Sequence, residues 1–253
     1  MTIVILGGTA EARQLAAALV ADGVDAISSL AGRVSSPNLP PGRVRVGGFG
    51  GADGLAEYLR GQQAAALVDA THPFAARIST NAVLAADRTG TPLIRLERTG
   101  WSEHPRAASW MWVPDAAAAR EAADSARRPF LTTGRQSLSE FVSWADRDVL
   151  IRLVDPPSKQ LPQRWTLIIS RGPYSYSGER QILREHAVDV LLSKDSGGTY
   201  TVAKLEAAGD LGIPVVIIAR PELPPARTCS TVAEAAAWCR ACEDLRFVGP
   251  STL

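Results

Sequence analysis

Short runs rich in β-branched and aliphatic residues alternate along this chain with longer alanine-rich amphipathic segments, and that alternation restricts the fold more than any single motif. Strands separated by helices of this length close most readily into parallel sheets with helices on their faces. The spacing predicts strands near 3–6, 24–29, 43–46, 66–70 and 92–96, with helices near 9–21, 52–60 and 74–88. The rhythm breaks over residues 98–110, where Gly100, Trp101, His104, Pro105 and Trp110 show no periodicity and read as a connector. A second set follows, with strands near 110–113, 129–133, 148–153, 166–170, 188–193 and 214–218, and helices near 115–126, 137–145, 178–186, 201–210 and 231–243. The expected fold class is therefore α/β: two Rossmann-like domains with mostly parallel sheets and an interdomain cleft, divided as residues 1–98 and 99–253.

The first unit opens on a phosphate-cradle pattern. An apolar run, Thr2 to Leu6, breaks into Gly7-Gly8-Thr9 and continues as a helix from Ala10. Glycines allow a tight turn without a Cβ in the way, and the following helix offers unpaired N–H groups and its positive dipole end to an anion. The third glycine of the usual G-x-G-x-x-G is missing, and Glu11 in the first helical turn would repel a pyrophosphate. The same residues also describe an ordinary βα turn with Thr9 as N-cap and Glu11 favouring the dipole. The second strand ends at Ser28-Ser29, followed by Arg33, where an NAD site usually carries an acidic residue for the ribose 2′-hydroxyl. Hydroxyls plus a guanidinium suit a 2′-phosphate, so the pattern points to an NADP-type site.

Ligands of open α/β sheets gather at the C-terminal ends of strands, and four further turns there carry functional residue types. Asp69-Ala70-Thr71-His72-Pro73-Phe74-Ala75 is expected to hold Thr71 and His72 at the sheet rim, with Pro73 pre-setting the helix start; helix capping is the alternative role for both residues. Thr132-Thr133-Gly134-Arg135-Gln136-Ser137 repeats the anion-cradle logic and adds an arginine able to clamp a carboxylate or phosphate. Ser170-Arg171-Gly172-Pro173-Tyr174 is a third rim turn, although Gly-Pro also makes a plain turn. The fourth, Ser193 to Lys204, combines Lys194, Asp195, hydroxyls and the Gly197-Gly198 pair before Thr201, expected to cap a helix. Only Lys159, Lys194 and Lys204 are lysines among 27 basic residues, so two of the three fall in this block. Tyr200-x-x-x-Lys204 has the spacing of the short-chain dehydrogenase acid pair, but the glycine motif and upstream serine of that family are missing.

Composition narrows the function classes. A net charge of +1 supplies no basic field for nucleic acid, and no apolar run approaches the roughly 20 residues that span a bilayer. The N-terminus lacks the charged start and cleavage region of a signal peptide, so a soluble cytoplasmic protein is expected. Three cysteines, all after residue 228, make no disulfide framework, and Cys239-x-x-Cys242 on a predicted helix lacks a second ligand pair, so no metal site is expected.

Seven blocks taken together resemble the precorrin-6A reductases of cobalamin biosynthesis: Ile5-Leu6-Gly7-Gly8-Thr9-Ala10-Glu11-Ala12-Arg13, Ser28-Ser29-Leu30-Ala31-Gly32-Arg33, Gly47-Gly48-Phe49-Gly50, Asp69 to Ala75, Leu131-Thr132-Thr133-Gly134-Arg135, Ser170 to Tyr174, and Ser193-Lys194-Asp195-Ser196-Gly197-Gly198. They occur in order across nearly the whole chain. The resemblance implies an NADPH-dependent enzyme that reduces one C=C bond of the tetrapyrrole precorrin-6A to give precorrin-6B. It implies cofactor contacts from Gly7, Gly8, Thr9, Ala10, Ser28, Ser29, Arg33, Gly48, Thr71 and His72. Substrate contacts would come from Phe74, Thr133, Gly134, Arg135, Arg171, Lys194, Ser196, Gly197 and Gly198, with Arg135, Arg171 and Lys194 meeting the macrocycle carboxylates. His72, Lys194 or bound water would donate the proton. A cobalt-precorrin-6A reductase, another two-domain NADP-linked oxidoreductase and a non-catalytic nucleotide-binding protein are the competing readings. The substrate would be a small-molecule tetrapyrrole, with room for transient contact with other enzymes of the cobalamin pathway.

Overall fold

A computed structural model describes residues 2–32 and 38–247, with side chains to Cys242. The chain divides into two compact units: residues 1–98 with 222–253, and residues 99–221.

The first unit is built on six parallel strands: β1 (Thr2–Leu6), β2 (Asp25–Leu30), β3 (Arg43–Val46), β4 (Ala64–Asp69), β5 (Leu93–Leu96) and β12 (Arg227–Cys229), in the order β12-β5-β4-β1-β2-β3. Its helices are α1 (Ala10–Ala21), α2 (Ala52–Gly61), α3 (Ala76–Thr89) and α7 (Val232–Phe247). β1 and β4 are buried along their whole length, as strands covered on both faces must be. One face packs Leu15 and Leu19 of α1 with Ala235, Ala236, Cys239 and Cys242 of α7; the other packs Leu55 and Leu59 of α2 with Ala82 and Ala85 of α3.

The second unit holds β6 (Met111–Val113), β7 (Pro129–Thr132), β8 (Leu150–Leu153), β9 (Thr166–Ile169), β10 (Val190–Lys194) and β11 (Val215–Ile218), also all parallel, ordered β6-β11-β10-β7-β8-β9. Helices α4 (Ala116–Ala122), α5 (Tyr176–Glu185) and α6 (Ala203–Asp210) complete it. Trp101 and Trp110 are buried with Phe130, Leu191 and Leu205, so these two aromatics of the connector belong to its core, and Trp112 packs against the same cluster.

Each sheet has the doubly wound order, reversing direction between β1 and β4 in the first and between β7 and β10 in the second. The sixth position is filled crosswise. β6 follows β5 in sequence yet pairs with β11, whereas β12 follows β11 and pairs with β5.

The expected second domain of residues 99–253 therefore loses its tail. Residues 222–253 join the first unit because β12 extends that sheet and α7 seats its apolar residues on α1. β12 is not legible in the sequence, since Pro221, Pro224 and Pro225 make its approach read as a loop. The helix expected over 137–145 is instead a run of three-ten turns, Arg135–Trp144. The helix expected from residue 74 starts at Ala76.

Candidate functional site

In the first unit the turns after β1, β2 and β4 converge at the point where strand order reverses. Gly7 continues the ladder by donating to the Ser29 carbonyl at 2.9 Å, and a Cβ on it would sit 3.4 Å from Leu30. Gly8 has φ +118° with open space where a Cβ would point, a conformation that favours glycine and leaves its backbone approachable. Thr9 Oγ accepts from Ala12 N (3.1 Å) and donates to the Ala70 carbonyl (2.8 Å), so one hydroxyl caps α1 and ties the turn after β1 to the turn after β4. Glu11 pairs with Arg98 at 2.7 Å. Its charge is neutralised within the protein, which removes the objection that a carboxylate beside the cradle would repel an anion.

The β4 turn is held by an Asp69–Arg95 pair that sequence reading missed. Asp69, nearly fully buried, accepts from both Thr71 N (3.2 Å) and Thr71 Oγ (2.7 Å), and its other oxygen meets Arg95 Nε at 3.3 Å. Arg95 in turn donates to the Pro224 carbonyl, anchoring the segment that leads into β12. Thr71 is thus fixed by Asp69 rather than capping a helix. His72 Nδ1 accepts from Phe74 N at 3.2 Å, so a neutral imidazole carries its proton on Nε2 and presents an N–H. The Phe74 ring lies 5.8 Å from that of His72. A pocket at this rim is lined by Thr9, Glu11, Thr71, Pro73, Leu96, Glu97 and Arg98. Ser28 and Ser29 are buried at the end of β2, and Gly47 N donates to the Leu30 carbonyl (2.8 Å), which brings the exposed Gly48 beside them. Ala10 opens α1. Arg33 lies outside the described residues.

In the second unit the corresponding reversal, between β7 and β10, collects Thr133, Gly134 and Lys194. Thr133 is buried, with Ser137 Oγ donating to it at 2.8 Å, and Gly134 takes φ +82°. Arg135 is exposed and stands 4.0 Å from Asp155, which follows β8. Lys194 ends β10; burial lowers its pKa. Ser196 N donates to the Lys194 carbonyl (2.7 Å), and Gly197 and Gly198 take φ of +65° and +63°, coiling the loop back on itself.

That loop is fastened to the connector. Asp195 accepts from Trp101 N (2.9 Å) and meets Arg220 Nε at 3.3 Å, while Trp101 Nε1 donates to the Gly198 carbonyl (2.9 Å). The exposed Arg171 turn joins the same loop through Tyr174 N, which donates to the Tyr200 carbonyl at 3.2 Å. Below lies a buried pair that no sequence pattern suggested: Arg152 Nη1 and Nη2 each donate to a Glu179 carboxylate oxygen at 2.6 Å, with the guanidinium 4.0 Å from the Tyr174 ring. Thr201 does not cap α6 through its side chain. Its carbonyl instead accepts from the buried Lys204 ammonium at 2.9 Å, which also lies 4.8 Å from the Trp101 ring.

Two sets of groups result. The first rim offers glycines, hydroxyls and a helix N-terminus, which suit phosphates; the second offers Arg135, Arg171 and Lys194, which suit carboxylates.

Comparison with known proteins returns the family model described as "Precorrin-6x reductase CbiJ/CobK", matching residues 2–240. The chain is 53% identical over 239 residues to the precorrin-6A reductase of Rhodococcus erythropolis, covering 93% of this chain and 96% of that one. It is 41% identical to the precorrin-6A reductase of Rhodobacter capsulatus, over 93% and 94% of the two chains. A solved structure titled "CobK precorrin-6A reductase" superposes with a TM-score of 0.88 at 40% identity, covering 96% of this chain and 97% of the other.

Proposed function

The chain belongs to the precorrin-6x reductase family, and from that premise we propose that it catalyses the NADPH-dependent reduction of one C=C bond of precorrin-6A, giving precorrin-6B. The observation that carries the reading is the difference between its two rims. One doubly wound sheet ends in a glycine cradle stapled by Thr9, and the other ends in three cations.

The first rim fits a dinucleotide. Gly8 leaves its backbone open, the first N–H groups of α1 follow Thr9, and Glu11 is already paired with Arg98. Bound NADPH supplies the hydride. Thr71 and the His72 N–H lie at the adjacent strand end, where they would orient the nicotinamide. On the second rim, Arg135, Arg171 and Lys194 would hold acetate and propionate groups of the macrocycle, with Thr133, Gly134 and Ser196 to Gly198 shaping the contact and Phe74 packing on the ring system. Hydride transfer requires the reacting carbons in contact, so this reading needs the nicotinamide and the macrocycle to meet. Lys194 has a second claim: desolvation makes its ammonium a stronger acid than an exposed lysine, which suits it to deliver the proton that completes the reduction.

Steady oxidation of NADPH by the purified protein with precorrin-6A, slower with cobalt-precorrin-6A and absent with small carbonyl compounds, is the expected result. Tight NADPH binding without turnover on any tetrapyrrole would replace this reading with a non-catalytic one. Replacing Lys194 by alanine should raise the KM for precorrin-6A by at least about tenfold while NADPH affinity stays nearly intact, since a charge-assisted bond is worth about 1.5–3 kcal/mol. A loss confined to the cofactor would move Lys194 to the other rim.

A further inference from the structure

We infer that Arg45 recognises the 2′-phosphate of the cofactor and so separates NADPH from NADH; the inference rests on the reading of this chain as NADPH-dependent. Arg45 lies on β3 in direct register with Ser29, at the end of β2. In doubly wound sheets that strand end meets the adenosine ribose, and an arginine there accommodates a 2′-phosphate where NAD sites carry a carboxylate. The C-terminal half of β2 carries the hydroxyls Ser28 and Ser29 and no acidic side chain, its Asp25 standing at the other end of the strand.

The guanidinium is held in a fixed plane. It lies 3.9 Å from the Phe49 ring centroid and 5.2 Å from that of Tyr58. Nη1 donates to the Gly47 carbonyl (2.6 Å) and to Ser29 Oγ (3.4 Å), and Nη2 donates to the Gly48 carbonyl (2.8 Å). These bonds use three of the five N–H groups that an arginine carries. Among the described residues none accepts from Nε, so the Nε–H and one Nη2–H remain as a side-on fork. Two parallel donors of that spacing match two phosphate oxygens. The neighbouring Arg43 is paired with Asp25, whereas no carboxylate of the described residues neutralises Arg45. A cation kept flat, uncompensated and next to Ser29 is matched to a dianionic group rather than to a hydroxyl.

The competing role is a clamp on the Gly47–Gly48 turn, which the two carbonyl bonds would serve equally well for either nucleotide. Calorimetric titration of the full chain with 2′,5′-ADP and with ADP separates the two roles. Wild type should prefer 2′,5′-ADP; Arg45→Gln should weaken that ligand by about 10- to 100-fold while ADP changes by less than about threefold, and Arg45→Lys should fall between, keeping charge without the fork. Because ADP fills the same site, its retained affinity shows that a variant has folded. Equal losses for both ligands in Arg45→Gln and Arg45→Lys would overturn the inference in favour of the clamp, and undiminished preference for 2′,5′-ADP would overturn it outright. A wild type that binds both ligands equally would instead overturn the NADPH reading on which the inference stands.

Discussion

Lys204 is the residue whose surroundings make the sharpest demand on solution behaviour. Burial, reinforced by the charge of Arg152 and opposed by Glu179, brings its pKa from 10.5 down to about 7. A lysine with a lowered folded pKa binds fewer protons folded than unfolded, so its contribution to stability rises with pH between about 7 and 10.5 and is flat below that window. Thermal denaturation across that range should show the rise in wild type and a flatter profile in Lys204→Met. Parallel profiles would mean that the ammonium keeps its charge. Glu11 poses the complementary case of a charge that must be cancelled. Arg98→Ala should weaken NADPH binding by about tenfold at low salt, and Glu11→Gln in that background should restore it, since one unscreened unit charge beside a phosphate is worth about 1 kcal/mol or more. Unchanged affinity in Arg98→Ala would show that Glu11 lies too far from the phosphates to matter. Glu11 looked awkward in the sequence because its partner stands 87 positions away. No spacing rule reaches that far, and a separation of 27 positions hid the Arg152–Glu179 pair in the same way.

Among the elements, the start of α1 couples a local signal to a long-range one. The Gly-Gly-Thr pattern announced the N-cap, and Thr9 does cap α1. What the pattern could not announce is the second bond of the same hydroxyl, to Ala70, which makes the cap a bridge between two strand ends. Thr9→Ala should therefore cost about 1–2 kcal/mol in denaturant unfolding and raise the KM for NADPH, whereas Thr9→Ser should keep most of both. If Thr9→Ala lost stability alone, the bridge would have no part in cofactor binding. Elsewhere the local rules were outweighed. Pro73 marked the approach to α3, but the Asp69 carboxylate captures Thr71 and delays the helix to Ala76. Gln136 to Trp144 carry helical periodicity, yet the segment settles into three-ten turns that bury Ser137, Phe141 and Trp144 at three- and four-residue spacing. At β10 the loop Lys194 to Gly198 depends on Asp195 for its anchorage to Trp101.

At the scale of the molecule, alternation in the sequence is enough to count βα units and to set their strands parallel, because short strands and amphipathic helices leave few other ways to bury both faces. It cannot say which sheet a three-residue strand joins. Pairing of β12 with β5 is supported by contacts such as Arg95 to the Pro224 carbonyl and by the packing of Cys239 and Cys242 against α1, while β6 pairs with β11 in the other sheet. Ending the chain at Pro221 should consequently damage the first unit, removing its edge strand and the α7 cover of its core. Amides of β4 and β5 should lose hydrogen-exchange protection while those of β7 and β10 keep theirs; the reverse pattern would contradict this assignment of the tail. The rim residues were legible for the opposite reason. Turns at strand ends must solve a local backbone problem and, in the proposed function, also meet a ligand, so glycines, hydroxyls and cations would cluster there in short blocks. In the proposed reaction the two rims serve one reduction. Single turnover of precorrin-6A with NADPH deuterated at the transferable position tests it most directly, with the macrocycle product read by mass spectrometry. One deuterium and one solvent-derived hydrogen are expected in the product, matched to one NADPH oxidised; a product without deuterium, or NADPH left unoxidised beside bound precorrin-6A, would overturn the proposed reaction.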